Sequence, residues 1–386
     1  MKLTYSSAFL VSLLFFVSCG QGPKKVDTLD TDILKRKVGQ MLMVGFRGTS
    51  VAENDAIHKV IKDYHLGGVV LYNRDLPSKE KMGRNITSKE QLVQLNQQLQ
   101  SIDSVKLWIA IDEEGGFVTR LSPENGFLGH KSHQAIGQIH KSDSTKIWAN
   151  TMASELKELG INMNFGPVVD VNINPKNPII GGRERSFSDS IPTIIEHSSI
   201  FMEEHKKLGI LCVPKHFPGH GSSTSDSHKG FTDVTHTWSE KELIPFKQLI
   251  QNGKAHVMMT SHVYNAHLDT LPSTLSPKII NKTLRGELGF DGVLISDDMQ
   301  MRAISNFYNF EEALEKAILA GVDVLLISNN AAPCQHDVDD CTEIPFDPNI
   351  AKKAIDHIMI LVEEGKISES RIEESYQRIM KLKNQS

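Results

Sequence analysis

Eight short apolar runs constrain the fold of this chain more than any other feature of its sequence. Their hydrophobicity is continuous rather than alternating, which is typical of parallel strands covered by other elements on both faces. The runs are KVGQMLMVGF (37–46), GGVVLY (67–72), LWIAID (107–112), INMNFGPVVDV (161–171), ILCVPKH (210–216), HVMMTSH (256–262), GVLISD (292–297) and VDVLLIS (322–328).

The segments between these runs have helical periodicity. Examples are KEQLVQLNQQLQSI, KIWANTMASELKELG, TIIEHSSIFMEEHKKLG and FEEALEKAILAG, and three of them end near a glycine, as helices often do. Eight strands that alternate with helices predict a fold of the α/β class, a single (β/α)8 TIM barrel. A doubly wound open sheet is the alternative. It usually carries a glycine-rich phosphate-binding turn after the first strand, and GFRGTS is not such a turn.

The N-terminal residues are typical of an export signal followed by a tether. An apolar run over 8–17 is too short to span a membrane and has the form of a secretory signal. Its ending, FVSC, resembles a bacterial lipobox. We therefore expect a lipoprotein signal peptide (1–18), a flexible tether (19–32) that starts at a lipidated Cys19, and the barrel domain (33–386). The expected location is the bacterial cell envelope, on its periplasmic or outer-surface side. An ordinary signal cleaved elsewhere, or an uncleaved anchor, is the alternative.

Charge and cysteine content exclude two classes of protein. The chain has 42 Lys and Arg against 47 Asp and Glu, a net charge of −5, so no nucleic-acid partner is expected. Four cysteines in 386 residues exclude a disulfide scaffold. Outside the cytoplasm we expect Cys334 and Cys341 to pair; two free thiols are the alternative, and their spacing is unusual for a zinc site.

Reactive side chains stand where five of the predicted strands end. The carboxyl ends of barrel strands open onto the active site. The residues are Asp112, Asp170, Lys215 with His216, Ser261 with His262, and Asp297 with Asp298. A single acidic residue there is commonly a helix N-cap, but several on one face predict a functional site. Of the adjacent pair Asp297 and Asp298, we expect one to face the barrel mouth as a nucleophile and the other to cap the next helix.

The loop KHFPGHGSSTSDSHKG (215–230) has the highest density of candidate catalytic groups. It has no apolar periodicity, so we expect it to lie outside the core and to fold over a ligand. Asp226 and His228 are two residues apart, and a hydrogen bond between them would make a general acid/base pair. Two alternatives remain, a solvated loop and a metal site. The metal ligands would be His216, His220, Asp226 and His228.

A second loop, GGRERSF (181–187), combines glycines with Arg183 and Arg185. A guanidinium group can bind sugar hydroxyls or a carboxylate. An exposed arginine is more often simply solvated, so this loop alone is weak evidence of a site.

Together these segments resemble glycoside hydrolase family 3, and closely its β-N-acetylhexosaminidase branch. The matching stretches are GQMLMVGFRG (39–48), GGVVLYNRD (67–75), IDEEGGFVTRL (111–121), NFGPVVDV (164–171), GRERSFS (182–188), KHFPGHGSSTSDSH (215–228), MTSHV (259–263) and SDDMQM (296–301). The resemblance covers about residues 33–382, and KHFPGHG…DSH is its most specific part. It implies a barrel enzyme with no metal or organic cofactor.

The resemblance also implies a retaining reaction in two displacements. Asp297 matches the nucleophile, His228 the acid/base and Asp226 the partner of that histidine, which differs from the usual pair of carboxylates. The substrate contacts of the family carry over to Asp112, Arg120, Arg185, Lys215 and His216.

The implied substrate is a terminal β-linked N-acetylglucosamine, in peptidoglycan fragments or chitooligosaccharides. The alternatives are a phosphorylase that uses phosphate as acceptor, a β-glucosidase, and a sugar-binding lipoprotein without activity. The sequence departs from the family at Phe117, where arginine is usual, and at Glu113, where glutamine is common. Both lie beside Asp112 in the sequence, so we expect them to affect preference beyond the first sugar.

Overall fold

Eight parallel strands form the centre of the molecule. The computed structural model describes residues 28–78, 83–334 and 343–385. Every strand falls inside one of the eight predicted apolar runs, and nearly all strand residues are buried. The strands are β1 (Leu42–Gly45), β2 (Gly68–Val70), β3 (Trp108–Ile111), β4 (Met163–Asn164), β5 (Leu211–Cys212), β6 (Val257–Met259), β7 (Val293–Ile295) and β8 (Leu325–Ile327).

The strands close into a ring. Six of them pair in the order β5-β4-β3-β2-β1-β8, and β6 pairs with β7. A parallel bridge between Phe217 and Thr260 joins the end of β5 to β6, and one between Ile295 and Val324 joins β7 to β8. Because both edges of the long sheet are joined in this way, the fold is the predicted (β/α)8 barrel and not the open sheet.

Helices follow the strands and form the outer layer. They are α1 (Thr28–Gln40), α2 (Ala56–Tyr64), α3 (Lys89–Ser101), α4 (His133–Gly137), α5 (Ser142–Glu158), α6 (Ile191–Lys207), α7 (Ile244–Gln251), α8 (Arg302–Ser305), α9 (Phe310–Ala320), α10 (Ile350–Glu363) and α11 (Glu369–Lys383). Four short 3₁₀ turns lie at Pro123–Asn125, Gly181–Arg183, Glu240–Leu243 and Ser273–Leu275, and Lys278–Glu287 is a π-helix.

Helix α9 illustrates how local sequence sets these elements. The Asn309 side chain accepts a hydrogen bond from the backbone N–H of Glu312 and caps the first turn. Leu314 and Ile318 lie one turn apart on its buried face and pack in the core. The helix ends at Gly321, whose φ of 111° is in the left-handed region that favours glycine.

The N-terminal helix begins earlier than the sequence suggests. Helix α1 starts at Thr28, inside the segment predicted to be a flexible tether, and contains residues 37–40, which were assigned to the first strand. Packing explains both differences, because α1 contacts α2, α10 and α11. Val38 is buried, and Lys37 donates to Glu373 on α11 at 2.6 Å.

Residues 1–27 lie outside the described part of the chain, and so do the predicted signal peptide and Cys19. Within the described ranges, no helix combines the length and the apolar character needed to cross a membrane.

Candidate active site

The strand-end residues lie at one face of the barrel. Asp112 directly follows β3, Lys215 and His216 follow β5, and Asp297 follows β7. Since all strands are parallel, their carboxyl ends share one rim. This rim carries the predicted site.

Asp112 connects two cations at the rim. Its Oδ1 accepts a hydrogen bond from Lys215 Nζ at 2.8 Å, and its Oδ2 accepts one from Arg120 Nη2 at 3.1 Å. Burial raises the pKa of Asp112, but the charges of Lys215 and Arg120 outweigh that effect and hold its pKa below the usual value. The Asp112 side chain keeps some exposure at the rim, so a charged acceptor faces the cleft.

Glu114 holds the network together, and sequence reasoning missed it. The Glu114 side chain is fully buried. Its Oε2 accepts a hydrogen bond from Arg185 Nε, and its Oε1 accepts one from Arg185 Nη2, both at 2.8 Å. Lys215 Nζ lies 2.7 Å from the same Oε1. Burial raises the pKa of Glu114, and the two cations lower it well below its usual value. The only signal in the sequence was a third carboxylate in IDEEGG, beside Asp112.

His216 continues the network to Asp170. Its Nδ1 lies 2.7 Å from Asp170 Oδ2, and Arg185 Nη2 lies 3.1 Å from its Nε2. A guanidinium can only donate, so Nε2 accepts from Arg185 and Nδ1 donates to Asp170. All five predicted substrate-binding residues thus belong to one connected set of hydrogen bonds. Of the two arginines in the GGRERSF loop, Arg185 is buried in this set and Arg183 is exposed.

Half of the glycine-rich loop belongs to the core, contrary to expectation. Residues 215–223 are buried. The backbone N–H of His220 donates to Asp170 Oδ1 at 2.8 Å, and that of Gly221 donates to Glu242 Oε2 at 2.9 Å. Burial lowers the pKa of His220 to about 4, so this ring is neutral at neutral pH. Acceptors from distant segments satisfy backbone N–H groups of the loop, which is why a stretch without apolar periodicity can be buried.

Asp226 and His228 lie on the outer half of the same loop. Asp226 Oδ1 accepts from the backbone N–H of His228 at 2.9 Å and lies 3.0 Å from His228 Nδ1, so the predicted contact is present. Burial raises the pKa of Asp226 and His228 lowers it, with a net fall. The His228 side chain is 60% exposed, and its Nδ1 is the ring atom that contacts Asp226.

Asp297 faces the histidines. Burial raises the pKa of this carboxyl, whereas His262, His216, His228 and the N–H of Asp298 lower it, to about 2. Asp297 is therefore ionised at neutral pH. Its negative charge lies within electrostatic reach of His228.

The neighbouring Asp298 has a different role. Its Oδ1 accepts from the backbone N–H groups of Gln300 at 3.2 Å and Ser328 at 2.8 Å, which ties the end of β7 to the end of β8. Burial raises the pKa of Asp298. The expectation that one carboxylate of the pair caps the next helix was wrong, because α8 has Met301 at its N-cap without a side-chain hydrogen bond; Asp298 caps the turn before that helix instead.

The remaining predicted sites are structural or lie outside the described ranges. Cys334 is disulfide-bonded, and its predicted partner, Cys341, is not among the described residues. Among residues 28–78, 83–334 and 343–385, no three His, Cys, Asp or Glu side chains are grouped so as to hold a metal ion. Of the four candidate metal ligands, His216 and His220 contact Asp170, whereas His228 contacts Asp226.

The loop after Asp112 is closed by its own hydrogen bonds and exposes an aromatic ring. Buried Glu113 accepts from Thr119 Oγ1 at 2.8 Å and from the backbone N–H of Arg120 at 2.9 Å, which closes the loop on itself. Gly115 has a φ of 78°, and a Cβ there would lie 2.2 Å from a backbone oxygen. Phe117, the departure noted in the sequence, is 66% exposed at the tip.

Sequence comparison decides the family. The family model described as "Glycosyl hydrolase family 3 N terminal domain" matches residues 33–382. The chain belongs to glycosyl hydrolase family 3. This confirms the resemblance inferred from the motifs, and the family's barrel agrees with the closed ring of strands described above.

Named relatives within family 3 share about a third of their residues with this chain. Beta-hexosaminidase A of Pseudoalteromonas piscicida is 32% identical over 357 residues, which cover 85% of this chain and 54% of that protein. Beta-hexosaminidase of Tolumonas auensis is 32% identical over 299 residues, 75% of this chain and 83% of that protein. The chain therefore spans about half of the first relative and most of the second.

Solved structures of family 3 agree with the fold. A glycoside hydrolase family 3 beta-N-acetylglucosaminidase from Paenibacillus sp. superposes with a TM-score of 0.79 at 36% identity, covering 91% of this chain and 62% of that one. A Beta-N-acetylhexosaminidase from Beutenbergia cavernae superposes with a TM-score of 0.77 at 26% identity, covering 91% of this chain and 98% of that one.

Replacement of Glu113 tests the electrostatics of the loop beside Asp112. Burial raises the pKa of Glu113 to about 7. The pKa of Glu113 is therefore higher in the folded protein than its value of about 4.5 in the unfolded chain. The contribution of this carboxyl to the free energy of unfolding is fully present below pH 4.5 and is lost as the pH rises through 7. We expect Glu113→Gln, which stays neutral, to match wild type at pH 4.5 and to gain roughly 1–3 kcal/mol in free energy of unfolding at pH 8.

Urea unfolding at the two pH values measures this difference. Glu124→Gln, at an exposed position of the same loop region, is the control for the general effect of replacing a glutamate with glutamine. A Glu113→Gln variant less stable than wild type at pH 8 would contradict the prediction.

Proposed function

We propose that this chain is a retaining β-N-acetylhexosaminidase that releases terminal β-linked N-acetylglucosamine from peptidoglycan fragments or chitooligosaccharides. The observation that carries the proposal is the ionised Asp297 at the barrel mouth, within electrostatic reach of the exposed His228, whose imidazole contacts Asp226. A charged nucleophile and a separate proton carrier are the two groups that a retaining glycosidase requires.

In the first displacement, an Asp297 carboxylate oxygen attacks the anomeric carbon and the bond to the leaving oxygen breaks. His228 donates its proton to that oxygen, so the aglycone departs as a neutral alcohol. In the second, His228 takes a proton from water, the water oxygen bonds to the anomeric carbon, and the bond to Asp297 breaks. Asp226 orients the imidazole throughout.

The buried network supplies substrate binding in this proposal. Asp112 accepts hydrogen bonds from sugar hydroxyls, while Lys215 and Arg120 keep it charged. Glu114 orients the Arg185 side chain and Asp170 orients the His216 ring, so both are held in one conformation for contact with the sugar. Support for the N-acetyl sugar comes from the relatives named beta-hexosaminidase and beta-N-acetylglucosaminidase.

We also propose that the chain is lipid-anchored through Cys19 to the bacterial cell envelope. The support is the sequence alone: a short apolar run that ends in FVSC. In this arrangement the tether extends from Cys19 to the start of α1 at Thr28, which lets the barrel reach substrate near the membrane surface.

The first prediction for the activity concerns the sugar and the nucleophile. We expect nitrophenol release from the β-N-acetylglucosaminide, and much less from the β-glucoside, in buffer without phosphate. Asp297→Ala should lower kcat by roughly 10³-fold or more because no covalent intermediate can form. Asp356→Ala, a carboxylate on the outer helix α10, is the control and should keep wild-type rates.

Four outcomes are informative against the proposal. Preference for the glucoside would indicate a β-glucosidase. Turnover that requires added phosphate would indicate a phosphorylase, and binding of the sugar without turnover would indicate a sugar-binding protein. Near-native rates in Asp297→Ala would contradict the nucleophile assignment.

A second prediction separates the acid role of His228 from general damage. For His228→Ala, kcat/KM should fall roughly 100-fold or more on N,N′-diacetylchitobiose, whose leaving group needs a proton. On a dinitrophenyl glycoside, which departs without acid help, the loss should be less than about tenfold. Asp226→Asn should show the same pattern more weakly. Equal losses on both substrates would count against the acid/base assignment.

A third prediction concerns the anchor. In bacterial cells fed an alkyne-bearing palmitate, the wild-type chain should take up the label and fractionate with membranes. Cys19→Ser should do neither, while Cys334→Ser, which alters another cysteine, should keep the label. Full labelling of Cys19→Ser would overturn the proposed anchor.

A further inference from the structure

Three aromatic rings from three different loops meet beside the candidate acid/base. Phe231 is on the loop after β5, Tyr264 on the loop after β6, and Phe307 on the segment that follows β7 and α8. The Phe231 ring centroid lies 4.9 Å from that of Tyr264 and 5.4 Å from that of Phe307. We call these three residues the aromatic cluster.

Core packing does not account for the aromatic cluster. Phe231 is 43% exposed and Phe307 56% exposed, and Tyr264 is half-buried. None of the three is part of the hydrophobic core. Exposure of adjoining large aromatic rings costs free energy in water, and such patches commonly mark binding surfaces.

Backbone hydrogen bonds hold the cluster against the loop of His228. Phe231 follows His228 by three residues. The N–H of Tyr264 donates to the carbonyl of Thr232 at 2.8 Å, and the N–H of Ala303 in α8 donates to the carbonyl of Ser227 at 3.1 Å. Backbone hydrogen bonds therefore join the three loops, and they do so on either side of His228, at Ser227 and Thr232.

The position of His228 identifies which part of a substrate lies there. An acid that protonates the leaving oxygen stands on the aglycone side of the cleaved bond. The buried network of Asp112 and Lys215 stands at the ends of β3 and β5 and offers polar groups to the sugar that is released first. The side next to His228 offers exposed rings instead. The C–H face of a pyranose is apolar and packs on an aromatic face.

We propose that the aromatic cluster binds the aglycone sugar and gives the enzyme its preference for oligosaccharides over simple glycosides. This inference rests on the proposed function, because it assumes cleavage beside His228. It predicts that removal of the rings weakens turnover only when a second sugar is present.

The experiment compares two substrates with similar alcohol leaving groups, N,N′-diacetylchitobiose and methyl β-N-acetylglucosaminide, by release of N-acetylglucosamine. In Phe307→Ala we expect kcat/KM on the disaccharide to fall roughly five- to tenfold, mainly through KM, with a larger fall in the Phe231→Ala/Phe307→Ala double variant. The methyl glycoside should change less than twofold. Phe307→Tyr keeps the ring and should keep wild-type values.

Ile147→Ala truncates another exposed apolar side chain, on α5, and is the control. Unchanged disaccharide kinetics in Phe307→Ala would overturn the inference, and so would equal losses on both substrates, which would indicate disturbance of the His228 loop. A change of oligomeric state in the double variant, with unchanged kinetics, would assign the cluster to contact between copies. If wild type cleaves neither substrate, the proposed function itself fails, and this outcome is distinct from the others.

Discussion

The site depends on one buried ion network in which Lys215 lies between Asp112 and Glu114. Charges removed from water are costly unless each is paired and hydrogen-bonded. Here each cation has a carboxylate partner, since Arg185 meets Glu114 and Arg120 meets Asp112. The network connects the ends of β3 and β5 to the loop of Arg185, so loss of one partner would leave the opposite charge buried alone.

The other candidate catalytic groups at the barrel mouth differ from this network in how exposed they are. The network fixes its side chains by mutual contact before any sugar arrives, which favours orientation of the substrate. The His228 side chain is more exposed than those of the network, and it lies with Asp226 on the outer half of a loop whose inner half is buried. A group that must exchange protons with an alcohol and then with water benefits from that exposure. Asp297 remains charged between the two regions.

The strands and the Asp226–His228 contact were predictable because each depends on local sequence. Continuous apolar runs bounded by polar residues indicated all eight strands, and the spacing of the pair allowed its hydrogen bond. The role of Glu114 and the burial of residues 215–223 were not predictable. Both depend on partners far away in the chain, Arg185 for Glu114 and Glu242 for the loop. No local sequence pattern encodes hydrogen bonds between such distant segments. The start of α1 at Thr28 has the same cause, packing on α11.

Trapping of the covalent intermediate tests the role of Asp297 most directly. A 5-fluoro derivative of N-acetylglucosaminyl fluoride forms a glycosyl-enzyme that breaks down slowly, and mass spectrometry of the intact protein and its peptides locates the added sugar. We expect one sugar per chain, attached to Asp297 in the peptide that contains SDDMQM. A sugar attached to Asp298, or turnover of this reagent without any covalent adduct, would contradict the retaining mechanism through Asp297.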